Sequence, residues 1–422
     1  MRRLQIMGLL FSIVFLLSGC KGTDGIIQGN ESEVSENVVT QKTEISLTEI
    51  PAEPTGELKE AWTEEQVLEK TYALIEQKDY PMAMSILLKN PRTQQTNELL
   101  KELQYLISGE YILNLDYGSF AAINKEGNVV FRLYDEQRFG DEEKVKRFQN
   151  GKSLHKTYLE GVAMLGWDGN METSQTESGY YAYDRLVTWM EQRRNDPNLP
   201  KIVYLDTAGN SFLARDEKGE LFYYDPNGDP ADDIVDRIEA LTDVVDMEIC
   251  QEGVVVLCSD GTVDYVGRKD KASYIPYSMS SFFENINGWT DIVDIDSSIG
   301  DFVAGLKADG TVVISAEWVG EGSFVDVKNW TDIIAISVGF QSVMGLKKDG
   351  TVVYSGHVTE AQKAASEWKD IVAVSANFQT CLGLKADGTL VIAGENTKGE
   401  AISELFELGD LFIPVVENKG ER

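Results

Sequence analysis

Histidine is nearly absent from this chain. Only His155 and His357 occur among 422 residues, in different segments and without ligand-type neighbours. That leaves little room for imidazole acid–base or metal chemistry, and both rings are expected at the surface. Cysteine is scarce as well: Cys20, Cys250, Cys258 and Cys381. This excludes a disulfide framework. A turn at Glu252-Gly253 would set Cys250 opposite Val255, so Cys250 and Cys258 would not be cross-strand partners. The three later cysteines read as small apolar core residues. No phosphate loop, nucleophile elbow or paired Cys/His set is present. Carboxylates are too abundant for any one pair to signal glycosidase chemistry. Positive charge is in deficit, with 38 Lys and Arg against 70 Asp and Glu, a net charge of −32. That opposes nucleic acid and anionic lipid as partners, and suits either a solvated acidic surface or a cationic partner.

A long apolar run is missing too. Leu9 to Leu17, apolar except for Ser12, is too short to span a bilayer, which needs ~20 residues. Arg2 and Arg3 precede it and Leu17-Ser18-Gly19-Cys20 follows it. This matches the lipobox of bacterial lipoproteins, so residues 1–19 are expected to be a signal peptide and Cys20 to be lipidated. The expected location is the cell membrane, lipid-anchored and facing outside the cytoplasm. Residues 20–60 lack aromatics, are rich in Ser, Thr and Glu, and carry Pro51 and Pro54. Such a stretch cannot bury enough apolar surface to order itself and reads as an acidic tether.

Residues 61–109 carry helical periodicity. A first helix is expected from Thr63 to Gln77, a second opening at Pro81, and a third capped by Thr96 with Leu99, Leu100, Leu103 and Ile107 on one face. Tyr72-Ala73 with Lys78-Asp79-Tyr80-Pro81 looks like half of a tetratricopeptide hairpin. It is too short for a solenoid and is expected to dock on the rest as a collar.

The remainder, residues 110–422, is organised by repetition. Gly305-Leu-Lys-Ala-Asp-Gly-Thr311, Gly345-Leu-Lys-Lys-Asp-Gly-Thr351 and Gly383-Leu-Lys-Ala-Asp-Gly-Thr389 are three copies of one phrase. Each follows a second phrase, Trp289-Thr-Asp-Ile, Trp330-Thr-Asp-Ile or Trp368-Lys-Asp-Ile. Asp-Gly between two β-rich runs is a hairpin signal, since Gly supplies the positive φ the turn requires. Weaker copies place hairpin glycines at Gly127, Gly169, Gly219 and Gly261, making seven with Gly310, Gly350 and Gly388. Seven short meanders cannot bury their faces singly; stacked around an axis they can. An all-β, seven-bladed propeller after a small helical segment is therefore expected. Asp410 to Val416 should close the ring by pairing with the first or last blade.

The last three copies resemble the bacterial form of the RCC1 repeat (regulator of chromosome condensation), whose pattern runs W-x-D-I, a loop, then G-L-K-x-D-G-T. The resemblance covers Trp289 to Glu395 and extends in weaker form from about Tyr111 to Val416. One departure is the His-Thr pair that often leads the second strand: here that region reads Phe340-Gln341-Ser342 and Phe378-Gln379-Thr380. Eukaryotic members act as exchange factors for a small GTPase or bind chromatin, which the extracytoplasmic address opposes. Similar secreted bacterial propellers inhibit β-lactamases through the loops of one face. The resemblance thus implies non-catalytic binding of a protein or peptide of the cell envelope, through loops that follow each blade's first strand. The candidate residues there are Tyr117, Asp301, Phe340, Gln341, Phe378 and Gln379. An extracytoplasmic enzyme or glycan-binding protein using the central funnel is the alternative. Titratable groups with shifted pKa at the axis would favour it; an aromatic rim alone would favour binding.

No cofactor is expected. Calcium is the one metal for which the sequence offers a loop, at Asp225, Asn227 and Asp229, although the same residues also simply make turns. A monomer is expected, with no nucleic-acid partner and with membrane contact through the lipid alone. Longer insertions at residues 135–158, 179–200 and 269–287 are further places for specificity.

Overall fold

The computed structural model describes residues 62–422 apart from 117, 133–147, 157–160, 175–180, 209–210, 225–232, 251–252, 268–284, 298–301, 316–323, 325, 397–398, 409–410 and 417–422. The chain divides into two units, Met1–Lys59 and Glu60–Arg422, and every described residue lies in the second. Among the described residues no helix is long and apolar enough to cross a membrane.

Three helices come first: α1 (Glu64–Glu76), α2 (Tyr80–Lys89) and α3 (Gln94–Ser108). Thr63 caps α1 in a capping box, its Oγ1 accepting the Gln66 N–H at 3.3 Å while Gln66 Oε1 accepts the Thr63 N–H at 3.0 Å. Pro81 stands in the first turn of α2, where its missing N–H removes no helical bond. The third helix starts earlier than the sequence predicts. Thr93 is its cap, and Thr96 is the third helical residue, whose hydroxyl accepts the Thr93 N–H at 2.9 Å. Two threonines three apart can build the box together, so the first takes the cap. Helix α3 ends at Gly109, in the left-handed conformation with φ 67°.

Seven antiparallel sheets follow, each made of consecutive strands. The first comprises β1 (Ile112–Asp116), β2 (Ser119–Ile123) and β3 (Val129–Arg132). The second comprises β4 (Gly151–Lys156), β5 (Val162–Gly166) and β6 (Met171–Thr173), so β4 falls inside the stretch read as a charged insertion. After α4 (Tyr181–Asn195) come β7 (Ile202–Ala208), β8 (Ser211–Asp216) and β9 (Leu221–Tyr224). After α5 (Ile234–Glu239) come β10 (Val244–Cys250), β11 (Gly253–Cys258) and β12 (Val263–Gly267). The fifth holds β13 (Ile292–Ser297), β14 (Val303–Lys307) and β15 (Val312–Ile314). The sixth holds β16 (Ile333–Val338), β17 (Ser342–Lys347) and β18 (Val352–Gly356). The seventh has β19 (Ile371–Ala376), β20 (Thr380–Lys385), β21 (Thr389–Glu395) and a fourth strand, β22 (Ala401–Glu407). The first strands pack in cyclic order, β1 on β4, then β7, β10, β13, β16, β19 and back to β1. Strands β1 to β22 thus form a closed seven-bladed β-propeller.

The repeated phrases encode how one blade docks on the next. Asp291, Asp332 and Asp370 sit in the left-handed region at φ 60°, 60° and 61°, a conformation that Asp tolerates. Their carbonyls accept the N–H of Ala308, Lys348 and Ala386, each at 2.9 Å. The following residue reaches back: Ile292, Ile333 and Ile371 donate N–H at 3.0 Å to the carbonyls of Gly261, Gly310 and Gly350, the hairpin glycines of the preceding blades. All seven hairpin glycines have φ between 76° and 89°. The other glycine of the phrase answers a different need. A Cβ on Gly305, Gly345 or Gly383 would lie 2.9–3.0 Å from the ring of Trp289, Trp330 or Trp368, so each indole rests directly on the strand.

Ring closure uses a polar clasp. The buried Asn114 of β1 donates through Nδ2 to the carbonyls of Ser375 at 3.2 Å and Thr380 at 2.7 Å, and its Oδ1 accepts the Thr380 hydroxyl at 2.9 Å. The tail reaches the first blade by one bridge, Leu411 opposite Asn124, with the Phe412 N–H donating to Ile123 at 2.9 Å. The unforeseen β22 adds a second tie, since Arg132 of β3 pairs with Glu404 and lies 4.7 Å from the Phe406 ring.

Two readings of single residues are corrected. Cys250 pairs with Gly253 and Glu248 faces Val255, because Gly253 is already in β11, where a Cβ would meet the Val266 carbonyl at 2.5 Å. Cys258 lies opposite Val244, so the thiols are still not partners; Cys250 and Cys381 are buried and Cys258 is half-buried. His155 is not on the surface. It is 7% exposed, on the inner strand β4, with Nε2 2.8 Å from the Ser153 hydroxyl.

Candidate functional site: the axial channel and its aromatic mouth

The seven first strands surround a channel of about 470 Å³. Alternate residues of a strand face the same side, so each blade presents a pair of positions to it. Blades four and five present Asp246 with Glu248, and Asp294 with Asp296; blade three adds Asp206. The same positions in blades six and seven are Ala335 with Ser337, and Ala373 with Ser375. One wall is therefore acidic and the opposite wall small and neutral. Ser108, Gly109 and Glu110, at the C-terminal end of α3, also line the channel. Phe340 and Phe378 line it as well, from the loops that follow β16 and β19.

Most of these polar side chains join neighbouring blades. Asp206 accepts the Ile249 N–H at 2.8 Å, and Asp296 accepts the Val338 N–H at 2.7 Å. Ser337 accepts the Ala376 N–H at 3.0 Å, and Ser375 the Asn114 N–H at 3.2 Å. Asp246 is bonded by the Ile295 N–H. Asp294 and Glu248 differ: neither side chain has a hydrogen bond or ion pair with any described residue.

Crowding of carboxylates away from bulk water raises their affinity for protons. Burial pushes Asp206 up to about 6 against the pull of the Ile249 and Thr207 amides. Burial, with Asp206 and Asp246 adding repulsion, pushes Asp296 up to about 8. Glu110 rises to about 7 by burial, with Lys152 only partly offsetting it. Burial and neighbouring carboxylates hold Asp294 and Glu248 well above the ordinary range. Burial, and the nearby Lys152, drop His155 to about 3, so its ring stays neutral.

Phe340 and Phe378 are 41% and 44% exposed, among the most exposed large apolar side chains described. Their rings stand edge to face with centroids 5.3 Å apart. Gln341 and Gln379 occupy matching places, and their carbonyls accept the N–H of His357 at 2.8 Å and Glu395 at 3.0 Å, pinning the ends of β18 and β21. The structure thus brings Phe340, Gln341, Phe378 and Gln379 to one mouth. Tyr117, Asp301, Cys20 and the calcium candidates Asp225, Asn227 and Asp229 lie outside the described residues. Among the described residues no three His, Cys, Asp or Glu are grouped to hold a metal ion.

The acidic wall was not singled out from the sequence. Its signal was there: Asp246-Met-Glu248 and Asp294-Ile-Asp296 alternate charge with apolar residues inside predicted inner strands, placing both charges of each pair on one face.

No protein-family model and no curated protein sequence matches this chain. Among solved structures it is similar to yeast RCC1 (Prp20), solved with Kap60, at 16% identity and a TM-score of 0.34, over 51% of this chain and 64% of that one. It is similar to the CRINKLY WD40 ectodomain of the Arabidopsis thaliana receptor kinase ACR4, at 12% identity and a TM-score of 0.35, over 59% of this chain and 96% of that one. Human WBSCR16 gives 12% identity and a TM-score of 0.37, over 62% of this chain and 81% of that one. These likenesses concern fold alone.

Proposed function

We propose that this chain is a lipid-anchored extracytoplasmic binding protein, whose propeller captures a protein or peptide of the envelope at the mouth carrying Phe340 and Phe378. The observation that carries this reading is the pair of exposed, mutually packed aromatic rings beside a channel. Apolar rings held in water cost free energy that a covering partner relieves, and aromatic anchors in such positions dominate protein recognition. Cys20 would supply the membrane attachment and residues 20–60 the reach.

The reading is tested by placing a photo-crosslinking phenylalanine analogue at 340 or 378, and at Leu405 as an exposed control, in living cells. One band specific to 340 and 378 supports the mouth as the binding face; equal labelling from Leu405 contradicts it. In the same cells Cys20→Ala should leave unprocessed, unlipidated precursor, and normal lipid attachment of that variant would refute the anchor.

The alternative, an enzyme or glycan-binding protein working in the channel, is favoured by the cluster of carboxylates with raised pKa, the feature named as its mark. Against it, Asp206, Asp246 and Asp296 are held by backbone amides of the next blade, a structural duty that explains their presence without catalysis. Turnover of an envelope substrate that Glu248→Gln abolishes would establish this alternative.

A further inference from the structure

Six carboxylates line the channel: Glu110, Asp206, Asp246, Glu248, Asp294 and Asp296. Acidic side chains in a group are common on a chain of net charge −32, and three of the six have structural partners. Asp294 does not. It is 7% exposed and lines the channel, and its side chain lacks any hydrogen bond or ion pair with a described residue. Every charged group acting on it is another carboxylate: Asp246, Asp296 and Glu110. Glu248, on the adjacent blade, is half-buried, and the charged groups acting on it are likewise carboxylates. A buried carboxylate with neither donor nor counter-ion is among the least favourable arrangements in a folded chain.

The nearby cations are committed elsewhere or do not reach. Lys152 donates to the Val203 carbonyl at 2.6 Å, and Arg215 donates to the Val244 carbonyl at 3.2 Å. Lys156 lines the channel from β4 but makes no ion pair with Asp294 or Glu248. The C-terminal end of α3 also borders the channel, and the negative end of a helix dipole favours a cation there.

We propose that the channel receives an alkylammonium or guanidinium group, which enters beside Phe340 and Phe378 and ends against the carboxylates of Asp294 and Glu248. This deepens the binding reading above and rests on it for the direction of entry. The chemistry fits an organic cation at each level. The neutral wall of Ser337, Ser375 and Ala376 offers a path for an alkyl stem, and aromatic faces at the mouth attract cations. A bare metal ion fits less well, as no three acidic, His or Cys side chains among the described residues are grouped to chelate one. The volume, about 470 Å³, admits a side chain or a small polyamine rather than a folded segment.

The test is titration calorimetry on the full-length chain in non-ionic detergent with four probes. These are spermidine, acetyl-Gly-Arg-Gly-amide, its neutral citrulline counterpart, and calcium chloride. Spermidine or the arginine peptide should bind and the citrulline peptide should not; which of the two binds tells a free polyamine from a basic peptide side chain. Asp294→Asn and Glu248→Gln should each weaken that binding by at least about 30-fold, the effect of removing one member of a buried charge pair. Both are near-isosteric and lie on neighbouring blades, so each variant checks the other. Equal binding of arginine and citrulline peptides, binding by calcium in preference to either amine, or wild-type affinity in Glu248→Gln overturns the proposal. Envelope capture that depends on Phe340 and Phe378 while no organic cation binds also overturns it, and leaves the aromatic mouth standing as the binding face.

Discussion

Asp294 lines the channel among Asp246, Asp296 and Glu110, and its side chain has no partner among the described residues. A mostly buried carboxylate among other carboxylates titrates well above its unfolded value of ~4. The same direction holds for Asp206, raised to about 6, Glu110, to about 7, and Asp296, to about 8. Between the unfolded and folded values the folded chain binds more protons, so stability is highest at the low end and falls as pH rises through that window. Lys152 and Arg215 are the cations that oppose this, and His155 stays neutral throughout. Surface carboxylates such as Asp309 and Asp349 are shifted down and are already ionised at pH 5, so they do not mask the trend. The urea midpoint at fixed ionic strength should therefore be higher at pH 5 than at pH 8. Asp294→Asn should raise the midpoint at pH 8, because it removes a charge repelled by Asp246, Asp296 and Glu110, and should flatten the profile. A midpoint that rises from pH 5 to pH 8 would refute this view of the channel.

At the scale of elements, the repeat phrases were legible because they code for backbone geometry. The hairpin glycines could be placed at all seven turns from sequence, since Gly after Asp, Lys or Glu between apolar runs has few other uses, and each adopts the left-handed φ. The Trp–Gly pairing carries its own test. Gly345→Ala would put a Cβ 3.0 Å from the Trp330 ring, from Ile333 and from Val353, three neighbours with no slack. It should lower stability by ~1–3 kcal/mol, the range for overpacked cores, and red-shifted or broadened indole emission should accompany it as the buried Trp330 is displaced. An unchanged melt would mean the indole can slide aside. Other elements were not legible for definite reasons. Strand β22 reads Ala-Ile-Ser-Glu-Leu-Phe-Glu, a mixed pattern on an exposed edge whose pairing only the tertiary structure fixes. Thr93 and Thr96 are both competent caps, and composition cannot choose between them. The burial of His155 followed from a register that its own sequence does not mark. As for the candidate site, Phe340 and Phe378 were found because copies in register made their equivalence visible. The acidic wall was missed because its pairs, Asp246 with Glu248 and Asp294 with Asp296, lie on separate repeats and come together only when neighbouring blades pack.

For the whole molecule, closure is the property on which the rest depends, since the channel exists only when β1 meets β19 and β20. Two devices secure it: the Asn114 clasp and the tail. Leu411 is buried, and Phe412 lies 6.2 Å, centroid to centroid, from both Tyr105 and Tyr111, tying the tail to α3 and the first blade together. Deleting residues 411–422 should lower stability by ~2–5 kcal/mol, as loss of buried apolar side chains does, and an unmoved melting curve would show that the clasp alone closes the ring. The mouth is built from the same closed geometry, and its role separates cleanly from its packing. The most direct measurement is a paired melt and partner capture, per folded molecule, of wild type and the double variant Phe340→Ala, Phe378→Ala. The expected result is capture weakened by at least ~2 kcal/mol with a melt that barely moves, because both rings are exposed and anchor a partner rather than the core. A melt lowered by ~3–5 kcal/mol of folding stability, with capture intact, would instead make the two rings part of the propeller's packing and contradict their role as the binding face.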